Sequence, residues 1–205
     1  IDFPTEIASI IDRIAAIKPE QYAKSRNFAS GAVTKLGPYI SRGVISTKQV
    51  FSAIQSSGVS WDKSEKLIQE LAWRDYWQQV WIAKGDEIHN DLKHPQFPVR
   101  NYKMPKSITM AQTGINAIDE AIQELYSSGY MHNHMRMYVA SLCCNIAQCH
   151  WRESAKWLYA HLLDGDLASN QLSWQWVSGA NASKKYYANQ NNINKYWGSN
   201  QKNTF

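Results

Sequence analysis

Glu70, Trp73, Arg74 and Trp77 bring a carboxylate, a guanidinium and two indoles together at spacings of three, four and seven residues. On a helix those spacings place all four on one face, with Trp81 one turn further along. Two readings stay open. One is an aromatic core stripe with an i,i+4 Glu70–Arg74 pair; the other is a stacking floor for a planar ligand whose edges the charged groups read. A second group is Tyr130-Met131-His132-Asn133-His134-Met135-Arg136, with Asn133 and Arg136 one turn apart at the start of an apolar helix. Polar groups facing inward there are costly unless paired. His132 and His134 stand at i,i+2 and point apart on a helix, which argues against a shared metal. The third group, Asp164-Gly165-Asp166-Leu167-Ala168-Ser169-Asn170, leads into Trp174-Gln175-Trp176. It fails as a calcium loop because its fifth and sixth positions fall on Ala168 and Ser169. A turn in which Asp166 caps the next helix leaves Asp164 and Asn170 free to bond something else. Glycine-rich phosphate loops, a nucleophile elbow, metal-spaced cysteine pairs and a His-Glu zinc helix are all missing from the sequence, so hydrolytic and zinc chemistry have no support.

The elements that must hold these groups read as helices throughout. Pro4 suits a first helical turn, and Ile7, Ile10, Ile11, Ile14 and Ile17 follow at three- and four-residue spacing. Ser46 can cap a short helix carrying Val50, Phe51 and Ile54. Asp62 and Glu65 resemble a capping box that opens a long helix running to about Ala83. From Asp86 to Lys106 three prolines break any period, predicting a connecting loop. Ile115, Ile118, Ile122 and Leu125 mark the next helix, which Gly129 closes. Two more are predicted, over about Asn133 to Gln148 and Arg152 to Leu163. No alternating strand pattern of useful length occurs, and the fold class expected is all-α.

The chain has 205 residues, 44% hydrophobic and 19% charged, with 22 Lys+Arg against 17 Asp+Glu. That composition excludes global disorder and suits one helical domain over residues 1–177, followed by an Asn/Lys/aromatic-rich segment over 178–205. The tail reads either as a frayed surface segment or as a lid packing Tyr186, Tyr187, Tyr196 and Trp197 back on the body. No apolar run nears the roughly 18 residues of a membrane span. Cys143, Cys144 and Cys149 make no disulfide framework, which points to a reducing, cytoplasmic setting. A net charge of +5 permits a polyanionic partner. Nine Trp and eleven Tyr are the unusual count, and so much flat aromatic surface must be either core or a platform for stacking.

In order along the chain, these motifs resemble the DNA photolyase/cryptochrome family. The resemblance runs through Thr113-Gly114 with Ile118-Asp119, Gly129-Tyr130-Met131-His132-Asn133, Arg136-Met137, His150-Trp151-Arg152, and His161 to Asn170, ending at Trp174-Gln175-Trp176. Upstream, Glu70-Leu71-Ala72-Trp73-Arg74-Asp75 is similar to the family's Glu-x-x-Trp-Arg-Glu helix. Tyr22, Arg26-Asn27-Phe28, Leu36-Gly37-Pro38-Tyr39 and Gly43-Val44-Ile45-Ser46 resemble its phosphate-side entry.

The resemblance implies a helical domain that binds FAD folded into a U. By position, Tyr22 and Thr34 would contact its phosphates and ribitol. Arg136 and Asp164 would pair beside the flavin, Asp166 would meet its polar edge, and Asn170 would face N5. Glu70, Trp73, Asn133, Met137 and Trp176 match positions that grip an extruded pyrimidine dimer. Trp174 and Trp151 match the first two of three tryptophans that conduct electrons. Several departures are visible. No third Trp occurs from Phe97 to Tyr102, where Tyr102 or Trp157 would have to substitute. The family's Thr-Ser-x-Leu-Ser loop reads Val33-Thr34-Lys35-Leu36-Gly37, and Asn133 is followed by His134 in place of Arg. The family's antenna domain has no counterpart here, so a stand-alone flavin domain or a piece of a longer protein is expected. The functions implied are light-driven repair of cyclobutane pyrimidine dimers in DNA, single-stranded DNA included; a flavin photoreceptor without repair; or a nucleic-acid binding module.

Overall fold

A computed structural model describes residues 3–202, which contain eleven α-helices and, in place of a sheet, an isolated bridge between Asn101 and Cys149. The chain is all-α, as its periodicity predicts. The first helix, α1 (Ile7–Ala15), starts after Glu6 and not at Pro4, and ends short of Ile17. Two short helices follow, α2 (Pro19–Ser25) and α3 (Gly37–Ser41), each with proline in its first turn, where the missing N–H costs nothing. Ser46 caps α4 (Thr47–Ser56), with Gln49 completing a reciprocal capping box. The 24-residue α5 (Trp61–Lys84) is about 36 Å long at 1.5 Å per residue. Trp61 is already helical, so the box expected from Asp62 and Glu65 does not form. Asp62 instead lies inside the first turn, where a carboxylate favours the helix dipole.

Beyond α5 the expected loop contains a 3₁₀ turn, Gly85–His89. Then come α6 (Lys106–Thr109) and α7 (Asn116–Ser128), which closes on Gly129 at φ 68°. Next, α8 (Asn133–Ser141) gives way to a π-helical turn, Leu142–Ile146, instead of running regularly to Gln148. The turn lets Asn145 donate through Nδ2 to the carbonyls of Val177 at 3.0 Å and Tyr186 at 2.7 Å. Last are α9 (Trp151–His161), α10 (Leu167–Ser178) and α11 (Gln190–Trp197). Their apolar faces form two main cores. The larger joins α7, α8, α9 and α10 through residues such as Ile118, Met135, Tyr138, Trp151, Leu158 and Trp174. The smaller joins α1, α3, α4 and α5 through Ile10, Tyr39, Val50, Ile54 and Leu67. Trp77, Val80 and Trp81 pack on a third cluster, of Ile88, Ala168 and Leu172, and so fasten α5 to α10.

The polar tail is ordered because a few apolar residues within it reach the larger core. Ala180, Ala188 and Ile193 are buried there, and α11 lays Tyr196 and Trp197 over α8. His134 sits between Tyr138 and Tyr196, with ring centroids at 4.5 and 4.9 Å. His132 meets Trp197 edge-on at 5.1 Å, and its Nδ1 accepts the His134 amide at 3.2 Å. Burial pushes the His132 imidazole down from 6.5 to about 4; His134, Arg136 and Lys35 push the same way, against a hydrogen bond with the Arg26 backbone. The unfolded chain therefore takes up a proton below pH 6.5 that the folded chain refuses until about pH 4. Stability is complete above the unfolded value and falls as the pH drops through this window, by on the order of 2–3 kcal/mol. Thermal unfolding followed between pH 7 and pH 4.5 should show that slope, and His132→Phe should flatten it. An unchanged slope in the variant would contradict the assignment.

Candidate functional site

Two separate features gather the chemistry-bearing residues. The first is a charged network where α3, α5, α8 and the start of α10 meet. Arg136 donates through Nη2 to both carboxylate oxygens of Asp164 at 2.9 Å, and through Nε to the Met131 carbonyl at 2.8 Å. The two side chains are only 20% and 16% exposed. Asp166 accepts the Ser169 amide at 2.8 Å, which caps α10. Its other oxygen accepts from Gln78 Nε2 at 2.6 Å and Arg74 Nη2 at 3.2 Å. Ser41 Oγ links the halves, accepting from Arg74 at 3.0 Å and lying 2.9 Å from the Asp164 carbonyl. Gly37 is required here because a Cβ would come within 2.8 Å of Asp164 Oδ2. Asn170 is buried one turn into α10 and donates to the Ala155 carbonyl at 2.9 Å.

The local Glu70–Arg74 pair does not form. Arg74 turns to Asp166, while Glu70 faces Arg26 at 3.8 Å, beside Tyr22. Burial pushes the Glu70 carboxyl up, and Arg26 opposes it. Burial also raises the Tyr22 phenol, with Glu70 adding to the effect. Thr34 accepts the Leu36 amide at 3.4 Å, at the start of the segment that brings Gly37 against Asp164. Ser41 and Gln78 belong to the network, but the sequence carries no signal for them beyond ordinary polar residues.

The second feature is a cavity of about 860 Å³ between α5, α10 and residues 181–183. Trp73 and Trp176 both line it, at 46% and 41% exposure. Trp73 stacks on Trp77 at 5.3 Å and meets Tyr76 edge-on at 5.6 Å. One face of Trp176 stacks on Tyr186 at 5.9 Å, so the tail supports this indole. Tyr22, Thr34, Glu70, Asn133, Arg136, Met137, Asp164, Asp166 and Asn170 do not line this cavity. Asn133 is exposed at the start of α8, and Met137 is half-buried one turn further on.

Trp151 and Trp174 are buried in the larger core. The Trp151 indole donates to Asp91 at 2.6 Å, and its ring stacks on His150 at 5.7 Å. His150 stacks in turn on Tyr102 at 5.4 Å, and Tyr102 is 69% exposed. A continuous aromatic column thus leads from the surface to Trp151. Trp157 instead packs with Tyr126 and His161 between α7 and α9.

Residues 67–202 match the FAD binding domain of DNA photolyase. A deoxyribodipyrimidine photo-lyase of Streptomyces griseus is 33% identical over 156 residues, covering 75% of this chain and 33% of the relative. A cryptochrome DASH of Synechocystis is 30% identical over 168 residues, covering 78% and 34%. Among solved structures, a Synechocystis cryptochrome superposes with a TM-score of 0.84 at 25% identity, over 96% of this chain and 44% of that one. A class III photolyase from Agrobacterium tumefaciens gives 0.81 at 26%, over 93% and 42%. The chain belongs to the photolyase/cryptochrome family and spans about a third of the curated relatives it matches. The part it spans is the FAD-binding domain, and the charged network suits that cofactor. An isoalloxazine edge alternates acceptors with an N–H donor. Two guanidiniums and two carboxylates meet here, joined through Ser41 and Gln78 in one largely buried network, a costly arrangement that a polar ligand justifies.

Proposed function

We propose that this domain holds FAD against the Arg136–Asp164–Asp166 network and receives a cyclobutane pyrimidine dimer, flipped out of DNA, in the Trp73–Trp176 cavity. The observation that carries this reading is the cavity itself, which brings two half-exposed indoles from α5 and α10 to one space. Bound and reduced, FAD supplies the light-driven electron that opens the dimer's ring. The chain's own residues bind, orient and shield. Arg136, Asp164 and Asp166 hold the cofactor's polar edge, with Asn170 near N5 and with Tyr22 and Thr34 on the phosphate side. Trp73 and Trp176 stack on the extruded bases, recovering about 1–3 kcal/mol per base against the few kcal/mol that extrusion costs. Glu70, Asn133 and Met137, which the resemblance matches to lesion-gripping positions, stand outside this cavity and are assigned no contact with the lesion. Trp174, Trp151 and the exposed Tyr102 give electrons a path from the surface to the interior, Tyr102 standing where the family has a tryptophan.

One observation favours a second reading, a flavin photoreceptor without repair. The surface end of the aromatic column is a tyrosine reached through His150, so light would act on a relay that departs from the three tryptophans the resemblance implies. Binding in the dark separates the two. The FAD-loaded protein should prefer a single strand carrying one thymine dimer over the same undamaged strand by about ten-fold or more. Affinity should fall steeply with salt if lysines meet phosphate. Two lysines follow α10 and could make such a contact: Lys184 is exposed, whereas Lys185 is committed to the Phe97 carbonyl. Equal affinity for both strands would favour the receptor.

A further inference from the structure

The cavity does not end at the two tryptophans. Along α5 it continues from Trp73 past Tyr76 and Val80 to Lys84, and Lys93, beyond α5 in the chain, lines it as well. Trp73 to Lys84 is eleven residues, or about 16 Å of helix axis. The volume of 860 Å³ lies near the top of the roughly 300–1,000 Å³ range of small-ligand sites, more than a pair of stacked pyrimidine rings requires. Tyr76 is 53% exposed and meets Trp73 edge-on, so the two rings do not cover each other. The charged residues lining the cavity are both lysines. Lys84 lies 3.3 Å from Glu87 in an exposed pair that a phosphate can displace.

We propose that this extension is a site for a third nucleotide, the one flanking the lesion, with its base on Tyr76 and its phosphate toward Lys93 and Lys84. The proposal rests on the lesion-binding reading above and adds a substrate class to it. A flanking base can reach Tyr76 only if it is unpaired, so the site selects single-stranded nucleic acid of at least three nucleotides over duplex. Stacking on a phenol ring tolerates any base, so no sequence preference follows.

The test uses the FAD-loaded protein in the dark with three probes: a thymine-dimer dinucleotide, the same lesion centred in a five-nucleotide single strand, and the lesion within a duplex. The pentanucleotide should bind about ten-fold more tightly than the dinucleotide, and more tightly than the duplex. Tyr76→Leu should remove that advantage and Tyr76→Phe should keep it, which separates loss of the ring from loss of fold. Replacing Lys84 and Lys93 together with Ala, which frees the one phosphate they share, should reduce the slope of log affinity against log salt by about 0.7 for the pentanucleotide. Equal binding of dinucleotide and pentanucleotide, with Tyr76→Leu neutral, overturns the third-nucleotide site and leaves the lesion cavity standing. If no probe is preferred over its undamaged counterpart, the lesion cavity fails and the third-nucleotide site falls with it.

Discussion

Asp164→Ala is expected to cost about 3 kcal/mol of folding stability and to strip the purified protein of FAD. The argument starts from Arg136, whose guanidinium is only 20% exposed and whose other bond, from Nε, goes to the Met131 carbonyl. Removing the carboxylate leaves a largely buried charge without its counter-ion, which is worth more than the pair's net contribution to folding. For a chain of this size, the loss should lower the melting temperature by roughly 6–12 °C. Asp164→Asn keeps an acceptor for Nη2 and should lose less. Arg136→Met with Asp164→Leu removes both charges and should recover most of the stability while still failing to retain FAD. That split marks the pair as serving the ligand rather than the fold. A melting point unchanged in Asp164→Ala, with FAD retained, would contradict this role.

The sequence reveals helices that bury a regular face, and it misses contacts that depend on partners far away. Ile118, Ile122 and Leu125 recur on one side of α7, and Gly129 supplies the left-handed stop, so α7 is visible from spacing alone. The short helices α2 and α3 have too few turns to show a period and are fixed by packing on α5 and on the smaller core. Arg74 illustrates the limit most clearly. Its i−4 neighbour Glu70 is the local default, yet the nearer partner is Asp166, 92 residues away. Motif order, in contrast, singles out Arg136 with Asp164, and Trp73 with Trp176, which the fold does bring together. The tail misleads because Asn and Lys dominate its composition, while Ala188 and Ile193 determine where it packs.

Replacing Trp73 and Trp176 together with Ala should abolish preferential binding of dimer-containing DNA and leave FAD in place. If each indole stacks on one base at about 1–3 kcal/mol, the pair contributes about 2–6 kcal/mol, a loss of some 30-fold or more in affinity. Both rings are more than two-fifths exposed, so the fold should tolerate the change. The modest structural cost falls on the stack of Trp176 with Tyr186 and of Trp73 with Trp77. The Arg136–Asp164 pair does not line the cavity the indoles share, which predicts that cofactor content stays at the parent level. A double variant that still discriminates damaged from undamaged strands would move the lesion site away from this cavity.

The most direct measurement is light-dependent reversal of the lesion itself. The FAD-loaded protein, reduced under anaerobic conditions, is mixed with a single strand carrying one cyclobutane thymine dimer and exposed to blue light, and the strands are then separated by chromatography. The repair reading predicts that the dimer-containing strand is converted to the undamaged strand in proportion to light dose, with no conversion in the dark and none with Trp73 and Trp176 both replaced. Dimer that persists at every dose, while the protein keeps its reduced FAD and the strand stays bound, would contradict repair and leave the domain as a flavin photoreceptor.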